Sequence, residues 1–302
     1  MDSFTISGRV VDVHAGRIVP GTVEVVGGHI TAIHETSDAP HDCFILPGFV
    51  DAHVHVESSM MVPSEFARFA TIHGTVATVS DPHEIANVLG VDGIRLMVEN
   101  GRCVPFKFWY GVPSCVPATA FETSGAVLDA VAVGTLLKDH GLHYLAEVMN
   151  FPGVLAGDAD IHGKLEAAKR LGLPIDGHAP GLRGEEARRY AAAGPSTDHE
   201  CVTLAEALDK IAAGMKILIR EGSAARNFAA LHPLLSSHPD SCMFCSDDLH
   251  PDNLHHGHIN RLVARAIAEG HELMAVLQAA TRNPVMHYGL PSVCYGPATP
   301  RI

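Results

Sequence analysis

His53 and His55 stand two residues apart in the apolar run Phe49-Val50-Asp51-Ala52-His53-Val54-His55-Val56-Glu57. A β-strand alternates its side chains with a period of two, so both imidazoles leave the same face. Two imidazoles converging from one strand end make a ready metal-holding pair. A lone His-x-His is common by chance in a chain with 21 histidines among 302 residues. The pair gains weight from further ligating and acid–base residues that sit at the ends of other short apolar segments. Asp81-Pro82-His83-Glu84 follows one such segment, Glu147 lies in another, and Asp176-Gly177-His178 ends a third. Asp198-His199-Glu200 and Ser246-Asp247-Asp248-Leu249-His250-Pro251 end two more. Four histidines and two carboxylates drawn from these strand ends would suit two first-row divalent ions such as manganese, iron or zinc. Such a pair can share one water, lower its pKa and polarise the atom under attack. A carboxylate left at the last segment can then take the proton and pass it to the leaving group. The expected chemistry is metal-dependent hydrolysis.

The elements that must position these residues can be read from the same pattern. The expected strands are Phe49–Val54, Thr75–Val79, Pro105–Tyr110, Tyr144–Val148, Pro174–Gly177, Ser196–Asp198, Lys216–Ile219 and Cys242–Ser246. Stretches rich in Ala, Leu, Glu and Arg separate most of them, as in Lys164–Leu171, Gly184–Ala193 and Leu204–Ala213. Final helices are expected at His258–Glu269 and Glu272–Ala280. Eight strands alternating with helices predict an α/β protein with a (β/α)8 TIM-like barrel, whose functional residues come from the carboxyl ends of the strands. Residues 1–46 differ, with β-like stretches at Thr5–Val13, Gly21–Val26 and His29–His34 punctuated by Gly and Pro turns. The expected organisation is a partial β-domain over 1–46, the barrel over 47–290 and a short tail over 291–302.

Composition narrows the partners. The net charge of −13 argues against sequence-independent nucleic-acid binding, which draws its affinity from a basic surface, though not against a small nucleobase. No apolar run approaches the roughly 18 residues that span a bilayer, and the first residues lack the basic and apolar regions of a secretory signal. Seven scattered cysteines suggest no disulfide framework, so a reducing cytoplasm is the expected compartment. There is no Gly-x-Gly-x-x-Gly after a strand to hold a dinucleotide. His55-Val56-Glu57 and Cys242-Met243-Phe244-Cys245 superficially match the zinc signature of cytidine-type deaminases. Ser241 stands where that signature needs proline, and cysteines three apart in a strand point to opposite faces. They are expected to be core residues.

Assembled, these blocks resemble the amidohydrolase superfamily and, within it, the adenine deaminase family, over nearly the whole chain. The broader marks are Pro47-Gly48-Phe49-Val50-Asp51-Ala52-His53-Val54-His55 and Asn283-Pro284. The narrower ones are His53-Val54-His55-Val56-Glu57-Ser58-Ser59-Met60, Asp81 to Val88, Glu147 to Val154, Asp176 to Pro180, His199-Glu200, Arg220 to Ser223 and Ser246 to Pro251. The resemblance implies hydrolytic deamination of adenine to hypoxanthine and ammonia, with two divalent metal ions as cofactor and a homodimer as one possible assembly. It places His53 and His55 on one ion, Glu147 as the bridging carboxylate, and His178 and His199 on the other. Asp247 would bind metal and shuttle the proton. Glu84 and Glu200 are further candidates for acid–base work, and His83, Arg220 and Ser223 for holding the purine. Members of that family continue beyond the length seen here, completing the β-domain and adding a carboxyl-terminal domain. The amino-terminal strands are therefore expected to expose unpaired edges. Two alternatives share the same residues: another binuclear amidohydrolase acting on a cyclic amide or a different base, and a shortened relative without activity.

Overall fold

The computed structural model describes residues 3–290 apart from 39, 41, 120 and 140; the tail expected at 291–302 lies outside the described residues. Strands β1 (Ser3–Asp12), β2 (Arg17–Val26), β3 (His29–Glu35) and β4 (Phe44–Ile45) form one sheet in the order β3-β2-β1-β4. β1 and β2 pair antiparallel over ten residues, from Ser3↔Val26 to Asp12↔Arg17. The second strand therefore starts four residues before the expected Gly21, and Pro20 lies inside it. Proline fits because β3 pairs with β2 only as far back as Gly21, leaving the stretch before it an edge where a missing N–H costs nothing. The amino-terminal strands thus pair with one another, and β3 and β4 are the edges. Val10, Val23 and Val25 form a small buried core. Beside it Phe4, Ile6, Ile45 and Leu46 line an apolar groove of about 420 Å³.

The eight further strands all appear. They are β5 (Phe49–Val54), β6 (Thr75–Ser80), β7 (Lys107–Tyr110), β8 (Leu145–Val148), β9 (Ile175–Gly177), β10 (Thr197–Asp198), β11 (Lys216–Arg220) and β12 (Cys242–Cys245). All of their pairings are parallel. They fall into three sheets, β5-β6-β7, β8-β9 and β10-β11-β12, instead of one unbroken ladder. Several strands are only two to four residues long, too short to carry a continuous register. Single contacts bridge the breaks. Val112 pairs with Leu145, Ser196 N donates to Ile175 O at 2.8 Å, and Val54 pairs with Asp247.

Helices follow the strands, and their boundaries reflect local capping. Helix Ala159–Leu171 starts five residues before expectation because the Asp158 side chain accepts from the backbone of Asp160 and Ile161. Helix Gly184–Ala193 is as expected. The strands are buried on both faces, as a parallel sheet covered by helices requires; Val50, Ala52, Ala77, Val79, Ile217, Ile219 and Phe244 all lie in the core. Cys242 and Cys245 are buried, unpaired members of that core. No helix among the described residues is long and apolar enough to cross a membrane.

Candidate metal centre

The carboxyl ends of five strands converge on one point. His53 and His55 come from the end of β5, and their Nε2 atoms lie 3.2 Å apart. Glu147, in β8, sits between the histidines: Oε1 is 3.1 Å from His55 Nε2, and Oε2 is 3.3 Å from His199 Nε2 and in contact with His178 Nδ1. His199 stacks on His53 with ring centroids 4.1 Å apart. Asp247 follows β12 and reaches His55 at 3.1 Å and His53 at 3.5 Å. It does so from a left-handed backbone conformation, φ 56°, which aspartate tolerates better than most residues. Asp247 N donates to His53 O and His55 N to Asp247 O, which locks the loop after β12 against the end of β5.

The structure therefore brings together all six residues expected to ligate metal: His53, His55, Glu147, His178, His199 and Asp247. Their grouping cuts across the two expected pairs. His53, His199 and Asp247 form one set of mutually close donors, and Glu147, His178 and His199 another. His55 belongs to a third set with Glu147, Asp81 and His83. His83 Nδ1 is 3.1 Å from Asp81 and 3.3 Å from Glu147, so this histidine faces the cluster directly. Arg220 is engaged by carboxylates: Nη1 lies 2.5 Å from both Glu200 and Asp247, and Nη2 3.1 Å from Glu200. Glu84 stands one step back, where Ser58 donates to it at 3.2 Å and to Asp248 at 2.6 Å. Ser223 belongs to the turn after β11; its hydroxyl accepts from His250 N and its own N–H donates to Asp248 O.

Burial and mutual contact set the charges. Burial alone would push the His53 and His55 imidazoles down, but the carboxylates of Asp176, Asp247 and Glu147 outweigh it. His53 is raised to about 10 and His55 well above its ordinary value. Burial pushes Glu147 up, yet the three histidines around it hold the carboxyl well below the usual range. Asp247 behaves likewise under the pull of His53 and His55. Without metal, this is a knot of imidazolium and carboxylate groups. A dication in place of the protons would be matched by the same side chains. Two buried polar atoms of this cluster lack a hydrogen-bond partner, His53 Nδ1 and Asp81 Oδ1. Buried polar atoms left unpaired are costly, and the residue types fit a borderline divalent cation.

A supporting shell surrounds these groups, and most of it escaped the sequence. Asp51 accepts from Ser246 N and Ser246 Oγ and bonds His258 Nε2 at 2.8 Å, tying β5 to β12. The signal for Asp51 existed, since it shares its strand face with His53; none existed for His258, 207 positions away. Asp176 accepts from Thr197 and Tyr288. Asn227 donates to His199 O and accepts from Arg220 N. The fully buried Lys210 ammonium donates to Ala179 O and Glu206 and lies 3.1 Å from Asp198. Asp198 in turn accepts from Ala179 N and Glu200 N. This network fixes the two loops that present His178 and His199.

With the geometry in place, comparison with known proteins decides the family. A sequence model of the Amidohydrolase family matches residues 44–293. The chain belongs to the amidohydrolase family. It is 57% identical over 288 residues to an adenine deaminase of Salinibacter ruber, covering 95% of this chain and 53% of that protein. It is 58% identical over 280 residues to an adenine deaminase of a Sulfurovum species, covering 93% of this chain and 52% of that one. The chain thus spans about half the length of the curated relatives it matches. Among solved structures, the N-acetyl-D-glucosamine-6-phosphate deacetylase of Mycobacterium smegmatis superposes with a TM-score of 0.66 at 15% identity, covering 98% of this chain and 92% of that one. Molinate hydrolase gives 0.63 at 13%, covering 97% and 86%. These two likenesses concern the fold alone.

Proposed function

We propose that this amidohydrolase chain carries the catalytic part of an adenine deaminase, which hydrolyses adenine to hypoxanthine and ammonia in the cytoplasm. The observation that carries the reading is the convergence of His53, His55, Glu147, His178, His199 and Asp247 on one point, in a chain more than half identical to proteins named adenine deaminase. A (β/α)8 barrel is the architecture we assign, supported by the order of eight parallel strands and the single contacts that bridge their three sheets. Exposed Phe121, Val127 and Val131 would favour assembly as a homodimer.

In this reading His53, His55, Glu147, His178, His199 and Asp247 would hold two divalent ions, manganese or iron and alternatively zinc. Such ions supply a water made acidic enough to ionise near neutral pH and a positive field for the atom under attack. Asp247, ionised because His53 and His55 hold its carboxyl low, takes a proton from the attacking water. It returns that proton to the amino nitrogen of adenine as the C–N bond breaks and ammonia leaves. Arg220 holds Asp247 in place and ties it to Glu200, which leaves Glu200 the nearer of the two further carboxylates to the reacting atoms and Glu84 the more remote. His83 is partly exposed and lies 3.3 Å from Glu147, where it can meet the purine edge. Ser223 acts on the substrate only through the turn it stabilises. The test is ammonia release from adenine, guanine and cytosine by the metal-supplemented chain, with metal content measured in parallel. Release from adenine alone is the expected result. Inertness on adenine with two ions bound per chain would reject adenine as the substrate.

A further inference from the structure

A cavity of about 390 Å³ lies apart from the metal-ligating cluster, among the turn after β11, the loop after β12 and helix Ile259–Ala268. Its wall includes Glu221, Arg226, Ser246, His258, Arg261 and Arg265. Three arginines thus share this wall with one carboxylate, in a chain whose net charge is −13. Glu221 is already spent, since its Oε2 pairs with Arg265 Nη1 at 3.1 Å. Arg226 is anchored on the carbonyls of Gly222 and Ser223, at 2.9 and 3.4 Å, contacts that leave its charge unneutralised. Among the described residues Arg261 has no carboxylate within ion-pair distance. Like charges held together in one cavity repel unless an anion joins them.

Two further features have the same sign. Helix Ile259–Ala268 starts at this wall with no side-chain cap and no acidic residue in its first turn, so its positive end is uncompensated. The turns after the seventh and eighth strands are also where (β/α)8 proteins frequently hold a phosphate. We propose that this cavity is a binding site for a phosphate-class oxyanion, either free phosphate or the phosphomonoester of a nucleotide. The site does not depend on which substrate the metal cluster serves. Its inner wall, Ser246 and His258, is bonded to Asp51, two residues before His53.

The experiment is calorimetric titration of the chain with inorganic phosphate, adenosine monophosphate and adenosine at constant ionic strength, before and after chelation of bound metal. Phosphate or the monophosphate should bind saturably in both states, and adenosine should not bind to the chelated chain. Tighter binding of the monophosphate assigns the nucleotide as source; equal or tighter binding of phosphate assigns the free ion. The double variant Arg226→Gln/Arg261→Gln should lose at least tenfold in affinity, and Arg226→Lys/Arg261→Lys should retain part of it. Glu221→Gln should bind more tightly, because it releases Arg265. Absence of saturable uptake by the chelated chain, affinity unchanged in the Gln double variant, or full competition by chloride would each overturn the site.

Discussion

Glu147 offers one carboxylate oxygen to His55 and the other to His199 and His178, so it is the residue through which both halves of the cluster are joined. Glu147→Gln keeps the size but removes the charge that, in the proposed reading, would balance two cations. Metal content and ammonia release should fall together, by more than the roughly 10–100-fold that loss of an outer-shell partner costs; elemental analysis beside a turnover assay checks this, and a fully active variant would reject the bridging role. Protonation gives a second prediction. The neighbouring carboxylates raise His53 to about 10 and His55 well above its ordinary value, so protons compete with metal for this pair in the metal-free fold. Metal must displace those protons. Binding should therefore release protons and strengthen as pH rises through the neutral range. Titration calorimetry in buffers of different ionisation enthalpy reads this directly, and proton uptake would contradict it.

At the scale of elements, the ligands depend on how closely neighbouring strands approach. Gly177 ends β9 at a point where an added methyl would collide with the Thr197 carbonyl of β10 and crowd Tyr190 and Met215. Gly177→Ala should force β9 and β10 apart, at about 1–3 kcal/mol of stability. Those strands lead into His178 and His199, so the variant should also bind less metal. Thermal unfolding with elemental analysis tests both parts, and a variant with wild-type melting and metal content would remove Gly177 from this role. The eight strands and several of the helices were legible in the sequence because apolar runs between Gly, Pro and charged stretches recur at regular intervals. Their boundaries were less so. β10 is only two residues long, and Pro20 within β2 reads as a stop until the pairing of β3 is known.

For the molecule as a whole, a buried knot of opposite charges is an unsteady centre unless metal holds it. Anything that binds the folded state alone stabilises it by mass action. Chelation should lower the melting temperature, and above saturation each tenfold rise in free manganese should add about 1.4 kcal/mol per site. Calorimetric melts across a metal series measure that slope; a flat series would mean that metal does not bind preferentially to the folded chain. The amino-terminal sheet stands apart from this centre, with its own small valine core and an apolar groove lined by Phe4 and Ile6. Its strands find partners in one another, so the unpaired edges expected from sequence reduce to β3 and β4.

The sequence by itself determined which residue types stand at each strand end, because strand periodicity and ligand chemistry are local properties. Joined to the family resemblance, those local properties pointed to His53, His55, Glu147, His178, His199 and Asp247 without a single distance. Tertiary structure decided which of them meet. Asp81 and His83 enter beside His55 and Glu147. Arg220, expected to hold substrate, is bonded to Glu200 and Asp247. Asp51 and His258 lock β5 to β12 across 207 positions. Contacts of that range depend on how three short sheets and their loops pack around one point, and no local pattern in the chain encodes that packing.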